Sequence, residues 1–294
     1  MNYEVITDLK NSDIFNIAHE FTSLKGSNFS PLEIDFLFAF ISQIDEKDEV
    51  FHEYQIDSDT LSETMERRMR KERVAKLFDS LMGKYISVST KDDEKRYSIF
   101  DTLSYNRVDE IYKVRFSSQM KPFFLKLKPY TKGYLSDLFK MKSTYSKKIY
   151  LLCSQWKRAG SFKIKVEELM KDMQVPKSLS NYADFKRKVL KVAEKNMLEK
   201  SKIYFEYEEI KKGRKVNEIL FIIKDNPKFK QQNPKLFEAD LSDLQKELGK
   251  FIGKKIEGKH IIKSFRLFND MIVADTEIGE YKFPNLDVLE QNIS

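Results

Sequence analysis

Twice along this chain of 294 residues, apolar side chains pass through helical spacing, a short extended stretch and helical spacing again. Each round closes in two strands flanking a polar turn. A helix with one apolar stripe and a hairpin with one apolar face must each bury that surface, so every round specifies a small helix-and-strand unit.

The first round begins at Ser30-Pro31-Leu32-Glu33, a hydroxyl N-cap with Pro at the first helical position and Glu placed for a capping box. Ile34, Leu37, Phe38, Ile41 and Ile44 follow at helical spacing. Phe51 to Ile56 reads as extended, a helix starts near Asp57–Ser58, and a second amphipathic helix is expected over 66–84, with Met69, Val74, Leu77, Phe78 and Leu81 inward. Residues 85–89 and 96–105 read as strands around Lys91-Asp92-Asp93-Glu94.

In the second round a strand at 112–116 and a region punctuated by Pro122, Pro129 and Gly133 lead to a helix over 143–157, with Tyr145, Ile149, Leu152 and Trp156 as its stripe. Residues 161–164 are extended and 166–172 form a short helix. A long helix over 180–200 turns Phe185, Val189, Val192, Ala193 and Met197 inward. Strands at 203–208 and 215–223 enclose the turn Lys211-Lys212-Gly213-Arg214. Helix, strand, short helix, longer basic helix and hairpin is the winged-helix form of the helix-turn-helix, and the repeat lies in element order, not residue identity. The expected fold is α+β: two tandem winged-helix domains over 1–115 and 116–228. A polar linker and a small α/β appendage, with a helix over 241–252, fill 229–294.

The distribution of charge points to a polyanion. Residues 1–139 carry 20 Lys and Arg against 24 Asp and Glu, residues 140–230 carry 24 against 11, and residues 231–294 carry 9 against 11. One segment holds the whole excess, as expected of a local nucleic-acid contact. On a wheel of the long helix, Arg187 and Lys191 lie opposite Phe185, flanked by Lys188, Lys195, Ser180 and Asp184. A helix entering the major groove by its N-terminal half brings such side chains to base edges, and the Arg fork can bond guanine O6 and N7 together. Arg187 and Lys191 are therefore the expected base readers, and Ser180 and Asn181 suit a phosphate or an adenine edge. Lys211, Lys212, Arg214 and Lys215 put four cations on the second wing, suited to phosphates or the minor groove. In the first round Arg67, Arg68, Arg70, Lys71, Arg73 and Lys76 make a basic helix, but the acidic wing beside it would repel phosphate. That unit is expected to contribute dimerisation and accessory DNA contact. The competing reading is a solvated helix face and an ordinary hairpin tip.

Other chemistries find little support. Gly253 to His260 has the spacing of a phosphate-binding loop, yet His260 stands where Ser or Thr must hold Mg²⁺, and too little chain follows for a nucleotide fold. His19, His52 and His260 are far apart and offer no metal pair, which also disfavours a nicking enzyme. Cys153 and Trp156 are expected in the core. No catalytic residue, metal or cofactor is expected. No apolar run approaches the roughly 18 residues of a membrane span, and the polar N-terminus lacks a signal peptide, so a cytoplasmic protein is expected.

Several segments together resemble the initiator replication proteins of iteron-containing, theta-replicating plasmids. They are Phe29 to Glu33, Val114-Arg115-Phe116, Phe123 to Leu127, Ser143 to Leu152, Tyr182 to Lys195, and Lys212 to Val216 with Ile219, Phe221 and Ile223. The resemblance implies two winged helices related by a pseudo-twofold. The second reads direct repeats in double-stranded DNA, and the first also contributes to dimerisation. It further implies opening of an adjacent AT-rich stretch, recruitment of the host initiator and replicative helicase, and self-repression as a dimer. The tail after Lys230 departs from the pattern. The other function the residues allow is a winged-helix transcriptional regulator without a replication role.

Overall fold

A computed structural model describes residues 5–6, 14–45, 48–65, 71–89, 93–125, 130–232, 248–256, 258–268, 271–283, 289 and 292–293. Helix α1 (Pro31–Ile41) is the centre of the first half. Ser30 accepts from the Glu33 amide at 3.3 Å, and Glu33 accepts from the Ser30 amide at 2.7 Å, so the capping box forms. Unlike a surface helix, α1 is apolar nearly all round, and Phe36, Leu37, Phe38, Ala39, Phe40 and Ile41 are all buried.

Around it stand β3 (Glu53–Asp57), α2 (Ser58–Thr64), α3 (Lys71–Met82) and the hairpin β4 (Tyr85–Ser89) with β5 (Glu94–Ser98). The strand expected over 96–105 is two strands. At Ile99 the chain leaves the wing, and β6 (Phe100–Asn106) pairs instead with β7 (Ile111–Phe116). That second sheet has the order β1-β3-β7-β6, with β1 being Val5–Ile6. The expected boundary at 115/116 thus falls inside β7. Beyond it, β8 (Tyr130–Tyr134) pairs antiparallel with β2 (Ile14–Ala18), and Gly133 stands opposite Phe15. A Cβ there would lie 2.2 Å from the Phe15 ring, so glycine lets that ring lie across β8. Phe123 and Phe124, in α4 (Lys121–Phe124), pack on Phe21, and Phe124 also on Phe51 and Phe116.

After α5 (Leu135–Lys140) the helix order returns: α6 (Thr144–Gln155), β9 (Ser161–Lys165), α7 (Val166–Met173), α8 (Tyr182–Lys200), then β10 (Ile203–Lys212) and β11 (Lys215–Asp225). Here β9 joins the wing in a three-stranded sheet, β10-β11-β9, whereas β3 never pairs with the first wing. The two rounds share an order of elements but not a sheet. Helix α9 (Pro227–Gln232) follows.

Polar bonds from α6 and its neighbours join the halves. Lys147 is fully buried with its ammonium 2.5 Å from Asp35, and it also donates to the Leu138 carbonyl. Lys148 donates to Gln174 at 2.7 Å, and Gln174 in turn donates to the Gly26 carbonyl at 2.8 Å. Asp137 accepts from the Ser201 hydroxyl and the Lys202 amide. Trp156, expected in the core, is 40% exposed. One ring face stacks on Phe162, because α6 ends there and leaves the other face to solvent.

The appendage is a four-stranded antiparallel sheet of β12 (Lys255–Ile256), β13 (His260–Phe268), β14 (Met271–Thr276) and β15 (Glu280–Phe283). Leu248, Ile256, Ile262, Ile272, Ala274 and Leu289 form its own small core. Most of the helix expected over 241–252 lies outside the described residues. The stretch from Gly253 to His260 forms a β-hairpin, not a strand–loop–helix phosphate cradle.

Candidate nucleic-acid interface

Helix α8 runs without a break from Tyr182 to Lys200, α-helical over Tyr182–Phe185, π-helical over Lys186–Leu190 and α-helical again over Lys191–Lys200. Asn181 caps it, its side-chain oxygen accepting from the Ala183 amide at 2.8 Å and the Asp184 amide at 3.3 Å. The π turn corrects the expected phase. A wider i→i+5 turn takes up one extra residue, so everything after it is turned by about 100° relative to an unbroken α-helix. Leu190 therefore goes inward with Phe185, Val189, Ala193 and Met197, and Val192, expected inward, is 39% exposed.

Three of the cations on the outward face of α8 are held by acids of the same helix. Arg187 is 2.5 Å from Asp184, which also accepts from the Asn181 amide nitrogen at 3.1 Å. Lys191 lies 2.8 Å from Glu194 and over the Tyr207 ring at 5.3 Å, and Lys195 lies 3.9 Å from Glu199. Lys188 is exposed and forms no ion pair with a described residue. Ser180 is exposed and donates its hydroxyl to the Lys177 carbonyl.

A latch that the periodicity did not reveal fixes α8 against the wing. Glu209 of β10 accepts from Lys186 at 2.6 Å and from the Tyr182 hydroxyl at 2.8 Å. The Lys186 ammonium holds the Glu209 carboxyl below the usual carboxylate range, while burial and the Glu209 contact push the Tyr182 hydroxyl up. Tyr182 and Lys186 stand four apart on one helix face, which was visible in the sequence. Their partner is on another element and was not.

The wing beyond this latch is longer than expected. Lys211 and Lys212 are the last residues of β10 and Lys215 the first of β11, leaving a two-residue turn of Gly213 and Arg214. Gly213 has φ 64°, the positive value such a turn needs at its first position. Register shifts between Ile210 and Lys211, so a bulge twists the tip. Lys211, Lys212, Arg214 and Lys215 are all exposed, and none forms an ion pair with a described residue.

The first half is quieter. Arg67, Arg68 and Arg70 lie outside the described residues. Lys71 opens α3, and Arg73 and Lys76 are exposed on it. On the first wing, Lys91 and Asp92 also lie outside. Glu94 accepts from Ser87 at 3.0 Å and pairs with Arg96 at 3.3 Å, and Asp93 faces Lys95 at 3.6 Å. Cys153 is fully buried, its thiol pushed up by desolvation, which makes it a core residue and a poor nucleophile.

Comparison with known families places this architecture. The family model described as "Initiator Replication protein, WH1" matches residues 15–154, and "Initiator Rep protein, WH2" matches residues 165–223. Together they take in more than half of the chain. The chain belongs to the initiator replication protein family. The first match takes in the elements from β2 to α6, and the second α7, α8 and the β10–β11 wing. Among solved structures, a crystal structure of Pi initiator protein in complex with iteron DNA matches with a TM-score of 0.59 at 17% identity. The match covers 74% of this chain and 99% of that one, a likeness of fold. Neither family model reaches the appendage of this initiator protein.

Proposed function

We propose that this chain is a plasmid replication initiator that binds repeated sequences in double-stranded DNA, and that its second winged helix is the principal reader. One observation carries the reading: the outward face of α8 and a wing tip with four exposed cations, none ion-paired with a described residue, belong to one unit, latched together by Glu209. In such a unit the helix has the shape to enter the major groove, and the wing lies beside it on phosphates or in the minor groove.

The two halves of that surface do different work. The wing cations form no ion pair with a described residue, so they supply salt-dependent attraction to any duplex. Arg187, Lys191 and Lys195 must trade Asp184, Glu194 and Glu199 for a partner on the DNA. That exchange is favourable where a base edge accepts a geometric match and unfavourable elsewhere, which penalises wrong sequences. Asn181 supports this by holding the helix start, and Ser180 and Lys188 border the phosphates. The first winged helix contributes accessory contact through Arg67, Arg68, Arg70, Lys71 and Arg73, and contributes to self-association. The resemblance extends the reading to opening of adjacent DNA, contact with the host initiator and helicase, and repression of the chain's own promoter, all in the cytoplasm and without catalytic chemistry of its own.

Nuclease footprinting across the parent replicon tests the proposal. Protection repeated at regular intervals, one unit per repeat, is the expected result. Uniform protection of origin and random DNA at equal protein concentration would overturn it.

A further inference from the structure

The appendage carries a basic surface that nothing above uses. Ten residues, 250–259, hold Lys250, Lys254, Lys255 and Lys259 against one acid, Glu257. All four lysines are exposed, and none forms an ion pair with a described residue. Lys255 lies in the short β12–β13 hairpin, Lys254 precedes it and Lys259 stands in its turn. Ile256 and Ile262 point into the small core, so Lys255, paired across from Ile261, must point away from it, and Ile261 is 44% exposed. Gly253 and Gly258, at φ 87° and 69°, take the positive φ needed by the bends on either side of β12, next to Lys254 and Lys259. Lys254 rests over the Phe251 ring at 5.0 Å. Among the described acids of the unit, Asp275 and Glu280 lie on β14 and β15, with Asp275 accepting from Ser264, whereas Glu277 reaches the β12–β13 hairpin, accepting from the Ile261 amide and facing His260.

We propose that the β12–β13 hairpin is an additional contact for the phosphate backbone of double-stranded DNA, made by Lys250, Lys254, Lys255 and Lys259. This inference rests on the reading of the chain as a duplex-DNA binder. Four exposed ammonium groups with no ion pair to a described residue are complementary to a phosphate row and carry no groups suited to reading bases. A patch this small binds weakly alone. Carried on a chain already held to DNA by α8 and the wing, it meets phosphates at an effective concentration near the millimolar range and needs little intrinsic affinity.

The test compares full-length protein with the triple variant Lys254→Gln, Lys255→Gln, Lys259→Gln. Affinity is measured by fluorescence anisotropy across a salt series, on a footprinted repeat duplex and on a scrambled duplex of equal length. The expected variant binds both duplexes more weakly by the same factor, with a log–log salt slope shallower by about 2 to 3 and an unchanged preference for the repeat. The triple Lys→Arg variant keeps the wild-type slope, which separates lost charge from a damaged fold. An unchanged slope in the Gln variant, with wild-type protein still preferring the repeat, overturns this inference alone. Wild-type protein with no affinity for either duplex overturns the reading of the chain as a DNA binder, and this inference with it.

Discussion

Lys147 and Asp35 form an ion pair 2.5 Å long, with side chains 0% and 6% exposed, joining α6 to the central helix α1. Two charges this deep are tolerable only together, because each removes the desolvation cost of leaving the other bare. Lys147→Met alone should therefore destabilise the chain by about 3 to 5 kcal/mol. The double variant Lys147→Met, Asp35→Leu should recover most of that loss in urea unfolding. Equal losses in the single and double variants would mean that the pair contributes nothing beyond packing.

The neighbouring Lys148 behaves differently with pH. Burial lowers its pKa to about 8, with Asp172 opposing the shift. The unfolded chain holds that proton up to the usual lysine range, so between about pH 8 and 10 the unfolded state binds more protons than the folded one. Stability should rise with pH across that window, by up to about 1.4 kcal/mol per unit from this group, with the penalty fully present below it. Lys148→Met should flatten this part of the stability profile.

On DNA, Arg187→Ala should cost roughly 1 to 3 kcal/mol on the preferred site and relax discrimination at one base position. Lys212→Ala should weaken all sequences alike and reduce the salt slope by about one. Competition binding with single-position variants of the repeat distinguishes the two. If neither substitution alters binding, the second winged helix is not the reader.

A side chain at Gly213 would meet open space, but the backbone there is left-handed, so substitution isolates the backbone cost. Gly213→Val should cost about 1 to 2 kcal/mol, and Gly213→Asn much less, since Asn tolerates that region. Thermal unfolding of the two variants makes the comparison.

The elements fixed by short-range rules were readable in the sequence. Ser30 and Glu33 announce the start of α1 because both halves of a capping box lie within four residues. The paired order of elements was legible for the same reason, and it suffices for two winged helices. What was not legible depends on contacts far apart in the chain. Glu209 as the holder of Tyr182 and Lys186, Asp35 as the partner of Lys147, and the departure of β6 from the wing all need tertiary pairing. The misplacement of Val192 has a different origin: a periodicity argument assumes a constant 3.6 residues per turn, and α8 breaks that assumption at 186–190. Trp156 was misjudged because residue type reports hydrophobicity, not the place where a helix ends.

That one wide turn makes α8 behave as a dial. Removing a single residue between Lys186 and Leu190 would let the helix close into regular turns and swing either its anchoring stripe or its outward residues by about 100°. One codon gained or lost there re-aims one half of the helix against the other, so its outward face can change only at the expense of the packing of Phe185 or of Ala193 and Met197.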